Sequence, residues 1–89
     1  MSYHIIDVRS ESEFSEGHAK DAINIPVEQI DSNHTHLEAI PKSDTIIVYC
    51  RSGARANMAQ QILHKLGYQQ TINALNETGV EKAIASLTD

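Results

Sequence analysis

Cys50 is the only cysteine in the chain, and it stands between an apolar run, Ile46-Ile47-Val48-Tyr49, and the loop Arg51-Ser52-Gly53-Ala54-Arg55. A thiolate is a strong nucleophile, and its surroundings set how much of it forms at neutral pH. Here they favour it. The apolar run reads as a buried strand and the residues after Arg55 read as a helix. A thiol between them lies under loop amides and near the positive end of a helix dipole, both of which stabilise negative charge. Ser52 and Gly53 let the backbone turn tightly and aim its N–H groups inward. Two of the three arginines, Arg51 and Arg55, fall in this loop, although the net charge of the chain is −5. That local reversal of sign suits an anionic substrate, because guanidinium groups grip an oxyanion through paired donors. The alternative for both arginines is a surface charge that balances an acidic chain. No histidine adjoins Cys50 in sequence, so a Cys–His pair would have to draw on His18 or His64. Amides, dipole and guanidinium can activate the thiol without one.

Other residues invite chemistry less strongly. Asp7 lies near the end of the run His4-Ile5-Ile6-Asp7-Val8. A carboxylate at a strand end in an α/β fold lies near the site or merely ties down the next turn. Arg9 then pairs with an acid or lines the pocket, and pairing is the expectation. His18 reads as a hydrogen-bonded structural group. His34-Thr35-His36 suggests a metal, but alternate residues on a helix point apart and no cysteine is near, so no metal site is expected.

These residues need elements to position them. His4 to Val8 reads as a buried strand, and Ser10 as the cap of a short helix whose Phe14 goes to the core. Ala22-Ile23-Asn24-Ile25-Pro26 is a second short strand ended by proline. Val27, Ile30, Leu37 and Ile40 have helical spacing, and Pro41-Lys42-Ser43-Asp44 is a turn. After the strand to Cys50, Met58, Ala59, Ile62, Leu63 and Leu66 form an apolar helical stripe that Gly67 terminates. Gln70-Thr71-Ile72-Asn73 is the last strand. Thr78 with Glu81 makes a capping box for a helix that buries Val80, Ala83, Ile84 and Leu87. Alternating strand and helix predicts an α/β fold, a small, mostly parallel sheet with helices on both faces. Ligands bind beyond the carboxyl ends of such strands, where Cys50 falls.

Composition sets the outer bounds. The 89 residues, 40% of them hydrophobic, fit a single domain, 1–89, with one core. The acidic balance argues against nucleic acid or an anionic membrane surface as the main partner. One cysteine makes no internal disulfide, and no apolar run approaches the roughly 20 residues that span a bilayer. As written the chain is expected in the cytoplasm, or in the periplasm if a signal peptide was removed, and as a monomer.

The loop Cys50-Arg51-Ser52-Gly53-Ala54-Arg55 resembles the active-site loop of rhodaneses, the thiosulfate sulfurtransferases. Asp7-Val8-Arg9, Glu13-Phe14, Gly17-His18 and Ala22 to Pro26 resemble that family's first signature, and Leu66-Gly67-Tyr68 also fits. Length and order look most like its minimal single-domain form. The resemblance implies a rhodanese-like fold and a two-step cycle. Cys50 takes the outer sulfur of thiosulfate as a persulfide and passes it to cyanide or a thiol acceptor. Amides of residues 51 to 55 hold the persulfide, Arg51 and Arg55 steer the anionic donor, and Asp7 and Arg9 support the site from behind. Arg55 could instead brace the loop. No metal or organic cofactor is implied. Where the family usually carries a Gly-Gly pair before its last helix, this chain has Asn73-Ala74-Leu75-Asn76-Glu77-Thr78-Gly79, with one glycine. A wall of the pocket is thereby altered.

The rival readings are weaker. A cysteine phosphatase cradles phosphate in Cys-x-x-x-x-x-Arg, but Ala56 stands where that arginine belongs and Arg55 comes one residue early. The shorter loop makes a cradle suited to a sulfur atom. Arsenate reductase is a further neighbour of this kind. A non-enzymatic sulfur-carrier or regulatory binding module is the other alternative.

Overall fold

The computed structural model describes residues 2–31 and 34–87, so the extreme ends of the expected 1–89 domain lie outside the described residues. In chain order the elements are β1 (Tyr3–Asp7), α1 (Glu11–Glu16), β2 (Ile23–Asn24), α2 (Thr35–Glu38), β3 (Thr45–Tyr49), α3 (Ala54–Lys65), β4 (Thr71–Asn73) and α4 (Gly79–Leu87). The stretch read as helical turns after Pro26 divides into a short 3-10 turn at Val27–Gln29 and the single turn of α2.

All strand pairs are parallel, and the order across the sheet is β2-β1-β3-β4. All five residues of β3 are buried, as expected of a central parallel strand covered on both faces. Alternation along the strands divides the core in two. Ile6, Ile46 and Val48 pack with Ala56, Ala59 and Leu63 of α3, together with Leu37 and Tyr68. Ile5, Ile47 and Tyr49 pack on the other face with Val80 and Ala83 of α4. The expected α/β sheet with helices on both faces is therefore what forms.

The chain leaves β1 for β2 on one side and returns to place β3 on the other. The strand order thus reverses between β1 and β3, and Asp7 pairs with Tyr49 across that seam. In open parallel sheets such a reversal leaves a crevice at the carboxyl ends of the strands. Cys50 follows Tyr49 into it.

Three expectations fail locally. Phe14 is only half-buried and stacks on His18, with ring centroids 3.7 Å apart and planes 4° from parallel. Helix α1 buries no residue, so it has no core-facing side to receive a phenyl ring. Met58 is 55% exposed. The buried face of α3 is centred on Ala56, Ala59 and Leu63, and the residue before Ala59 is turned about 100° away from it. At the start of α4, the Thr78 hydroxyl donates to Asn76 Oδ1 (2.7 Å), which also accepts the Gly79 amide (3.0 Å). Asn76 holds this turn in place of the expected Thr78–Glu81 box. The cap read at Ser10 does form, and as a full box, with the Glu13 amide on Ser10 Oγ and Glu13 Oε1 on the Ser10 amide.

Candidate active site

β3 delivers Cys50 to the sheet's carboxyl edge, where the backbone turns through Arg51, Ser52 and Gly53 before α3 begins at Ala54. Gly53 caps α3 at φ +102°, a left-handed conformation that glycine adopts without strain. That turn reverses the chain over the sulfur. The Gly53 amide donates to Cys50 Sγ at 3.0 Å. The amides of Ser52, Arg55 and Ala56 also face this sulfur and favour its negative charge. The first amides of a helix have no partner within it, so these donors are available by construction. Ala56 lies one residue past the loop read from the sequence.

Burial is the largest single influence on the Cys50 thiol and pushes its pKa up, but the four amides together outweigh it and hold it below the ordinary thiol value. The residue is 3% exposed, so the sulfur sits at the floor of the loop. The Cys50 amide donates to the Leu75 carbonyl at 3.3 Å, and the thiol lies 3.9 Å from the same oxygen. The residues after β4 therefore form one wall of the site. Neither candidate histidine reaches the sulfur. His18 Nδ1 bonds the Phe14 carbonyl (2.9 Å) and His64 Nε2 bonds Thr71 Oγ1 (3.0 Å).

The arginines have different settings. Arg55 forks onto Glu13, with Nη1 2.8 Å from Oε1 and Nη2 3.1 Å from Oε2. Its guanidinium braces the loop against α1. Arg51 reaches Glu13 only through Nε, at 3.3 Å, and its side chain is 65% exposed. It is the cation at the loop that can swing toward an arriving anion. Glu13 was read from sequence only as part of the first signature, and its role in joining α1 to the loop comes from the structure.

The Arg55 fork, aided by the Ser10 amide, draws the Glu13 carboxyl down to about 2. Because the folded value lies below the ordinary 4.5, the brace is complete above pH 4.5 and is lost as pH falls toward 2. A carboxyl-detected NMR titration is expected to place the Glu13 midpoint near 2, with the amides of 51–56 shifting in the same step. A midpoint at the ordinary carboxylate value would show that the fork does not form in solution.

Asp7 and Arg9 pair, as expected. The Asp7 carboxylate is fully buried and accepts from the Arg9 amide (2.9 Å), from Arg9 Nε (3.0 Å) and Nη2 (2.7 Å), and from the Tyr49 hydroxyl (2.9 Å). Arg9 Nη2 continues to the Gly17 carbonyl (2.7 Å), and the Ala19 amide donates to Tyr49 Oη (3.0 Å). The bond to Asp7 raises the Arg9 guanidinium above its ordinary value, and burial pushes the Tyr49 phenol up to about 12. Tyr49 faces the core opposite to that of Cys50. This network therefore holds the ends of β1 and β3 and the 17–19 turn, and its bonds do not lead to the sulfur. Asn24, read from sequence as a strand residue within the first signature, completes it by donating Nδ2 to the carbonyls of Asp7 and Arg9, each at 3.0 Å.

His34 caps α2, accepting the His36 amide on Nδ1 at 3.3 Å, and the two rings meet edge to face. They do not point apart as two residues inside a helix would, because His34 has extended backbone. Among the described residues no group of three or more His, Cys, Asp or Glu is placed to hold a metal ion. A concavity of about 730 Å³ lies away from Cys50, against Tyr3, Ala19, Val80 and Ile84. None of the residues of the Cys50 loop lines it, and the chemistry is assigned to the loop on geometry.

Comparison with known proteins agrees with this geometry. The family of rhodanese-like domains matches residues 1–82. Thiosulfate sulfurtransferase PspE of Escherichia coli is 38% identical over 72 residues, which cover 80% of this chain and 67% of that protein. A sulfurtransferase of Allochromatium vinosum is 33% identical over 78% of this chain and 62% of its own length. The chain thus spans about two thirds of the length of these curated relatives. A solved structure of an Escherichia coli rhodanese with anions superimposes with a TM-score of 0.77 at 32% identity, covering 88% of this chain and 91% of that one. A parallel sheet that ends in an amide-cradled cysteine, matched along nearly its whole length, makes this chain a member of the rhodanese-like sulfurtransferase family.

Proposed function

We propose that the protein is a thiosulfate sulfurtransferase in which Cys50 carries the sulfur. The observation that supports this most is the Gly53 amide on Cys50 Sγ with three further amides facing it, and no general base bonded to it among the described residues. Such a nest favours a thiolate before reaction and suits an outer sulfur bearing negative charge afterwards. In the first step the thiolate attacks the outer sulfur of thiosulfate. A new S–S bond forms on Cys50, the old S–S bond breaks, and sulfite leaves with the bonding electrons. In the second step cyanide or a thiolate attacks the outer sulfur of the persulfide, and the Cys50 thiolate departs. Each step exchanges one S–S bond for another bond to the moving sulfur, so no external oxidant or reductant enters. The anions in the related rhodanese and the name of PspE are consistent with this donor.

Ser52, Gly53, Arg55 and Ala56 supply the amides, and Ala54 continues the loop into α3. Arg55, committed to Glu13, keeps the loop in shape. Arg51 gathers the dianion. Incubation with thiosulfate is expected to add one sulfur mass to the intact protein, and cyanide to remove it. Absence of the adduct would favour the binding-module reading. Arg51→Ala is expected to raise the KM for thiosulfate about tenfold while changing kcat by less than about twofold. An unchanged KM would mean that this guanidinium takes no part in donor capture.

A further inference from the structure

Leu75 stands in the left-handed region, at φ +73°, where side chains other than glycine are uncommon. Its backbone is held there from both ends. Asn73 Oδ1 accepts the Leu75 amide (2.9 Å), and Asn73 Nδ2 donates to the Gly53 carbonyl (3.0 Å). The Leu75 carbonyl accepts the Cys50 amide at 3.3 Å. Asn73 and Leu75 thus clamp the active-site loop at the residue before α3 and at the nucleophile itself.

The side chain follows from that backbone. Leu75 Cδ2 lies 2.7 Å from where a Cβ on Gly53 would stand, so the isobutyl group rests directly on the glycine whose amide holds the sulfur. Gly53 is buried although Ser52 and Ala54 on either side are exposed. The outer surface of Leu75 remains 53% exposed. On the β4 side, the turn that carries Gly53 over Cys50 is therefore covered by this branched apolar group. Glycine at this position would leave the same backbone unstrained and the approach open. A strained conformation retained at the mouth of a site is itself a reason to look for a role.

We propose that Leu75 is a size gate on Cys50, limiting the sulfur acceptor to slender molecules such as cyanide or a small unbranched thiol and disfavouring bulky or aromatic ones. The acceptor half of this statement rests on the sulfurtransferase reading, whereas the gate concerns access to the sulfur whatever its chemistry. The two are separated by alkylation. Native protein, Leu75→Ala and Leu75→Gly are reacted with N-methylmaleimide and with N-pyrenylmaleimide, each rate being normalised to that of free N-acetylcysteine.

The bulky-to-small rate ratio is expected to rise about tenfold in both variants, in the range that removing a few methyl or methylene groups from a contact produces. The ratio of kcat/KM for an aromatic thiol to that for cyanide should rise by a similar factor. An unchanged or lower alkylation ratio in Leu75→Ala overturns the gate. So does a rise in Leu75→Gly alone, which would assign the effect to backbone freedom. A raised alkylation ratio without sulfur transfer in any of the three proteins leaves the gate standing and removes the acceptor assignment. Leu75→Gly also serves where Leu75→Ala folds poorly, since glycine relieves the left-handed backbone.

Discussion

Cys50→Ser will take up no sulfur from thiosulfate, and its thiosulfate:cyanide transfer will fall by on the order of 10⁴ or more. The amides around Sγ remain, but a hydroxyl is far too weak an acid for hydrogen bonds at this distance to ionise it at neutral pH, and oxygen forms no stable counterpart of the persulfide. The substitution replaces a sulfur by a smaller oxygen on a nearly buried residue, so the loss of stability should be only about 1 kcal/mol and the fold should persist. Intact-mass spectrometry after thiosulfate, paired with a thermal melt, separates loss of chemistry from loss of structure. An adduct that persists in Cys50→Ser would place the sulfur elsewhere and overturn the assignment to Cys50. The same measurements across pH test the direction of the thiol shift. The native protein should alkylate with a midpoint below the ordinary thiol range, because the amides outweigh burial.

Asp7→Ala is expected to destabilise the fold by about 3–5 kcal/mol, the usual consequence of removing one partner of a buried ion pair. The reason is what is left behind. Arg9, 8% exposed, would keep its charge with only the Gly17 carbonyl to hold it, and the Tyr49 hydroxyl would lose its acceptor in the core. A loss of that size is a large share of the roughly 5–15 kcal/mol by which a domain is stable. Urea denaturation should show a much lower midpoint with little change in slope. Asp7→Asn, which keeps an acceptor and loses the charge, should fall between native and Asp7→Ala. Since the network's bonds run to Tyr49, Gly17 and Asn24 and not to the sulfur, kcat per folded molecule should change far less than stability does. A fall in kcat as steep as that of Cys50→Ser, with stability intact, would instead make Asp7 a participant in the chemistry.

How much could be read in advance tracks sequence separation. Cys50 and the amides that face it lie within Cys50 to Ala56, so a local pattern of apolar run, turn residues and helix start was enough to find all of them but Ala56. The parallel α/β architecture was equally legible, because strand and helix periods alternate along the chain and short connections leave few topologies. Phe14 and Met58 were misplaced for a different reason. Periodicity marks an apolar face but not whether another element arrives to cover it.

The sequence by itself therefore determined the candidate cysteine, the cradle of neighbouring amides and the alternation of strands and helices that presents them, since each is recorded in residues close together in the chain. Only the tertiary structure decided that Arg55 is spent on Glu13, 42 residues away, while Arg51 touches that carboxylate only through Nε and stays exposed at the surface. It also decided that Asp7 closes onto Tyr49 and that Leu75, 25 residues from Cys50, lies over the loop. Those pairings join elements that meet only once the strands have found their order, and no local spacing records which side chains the crevice brings face to face.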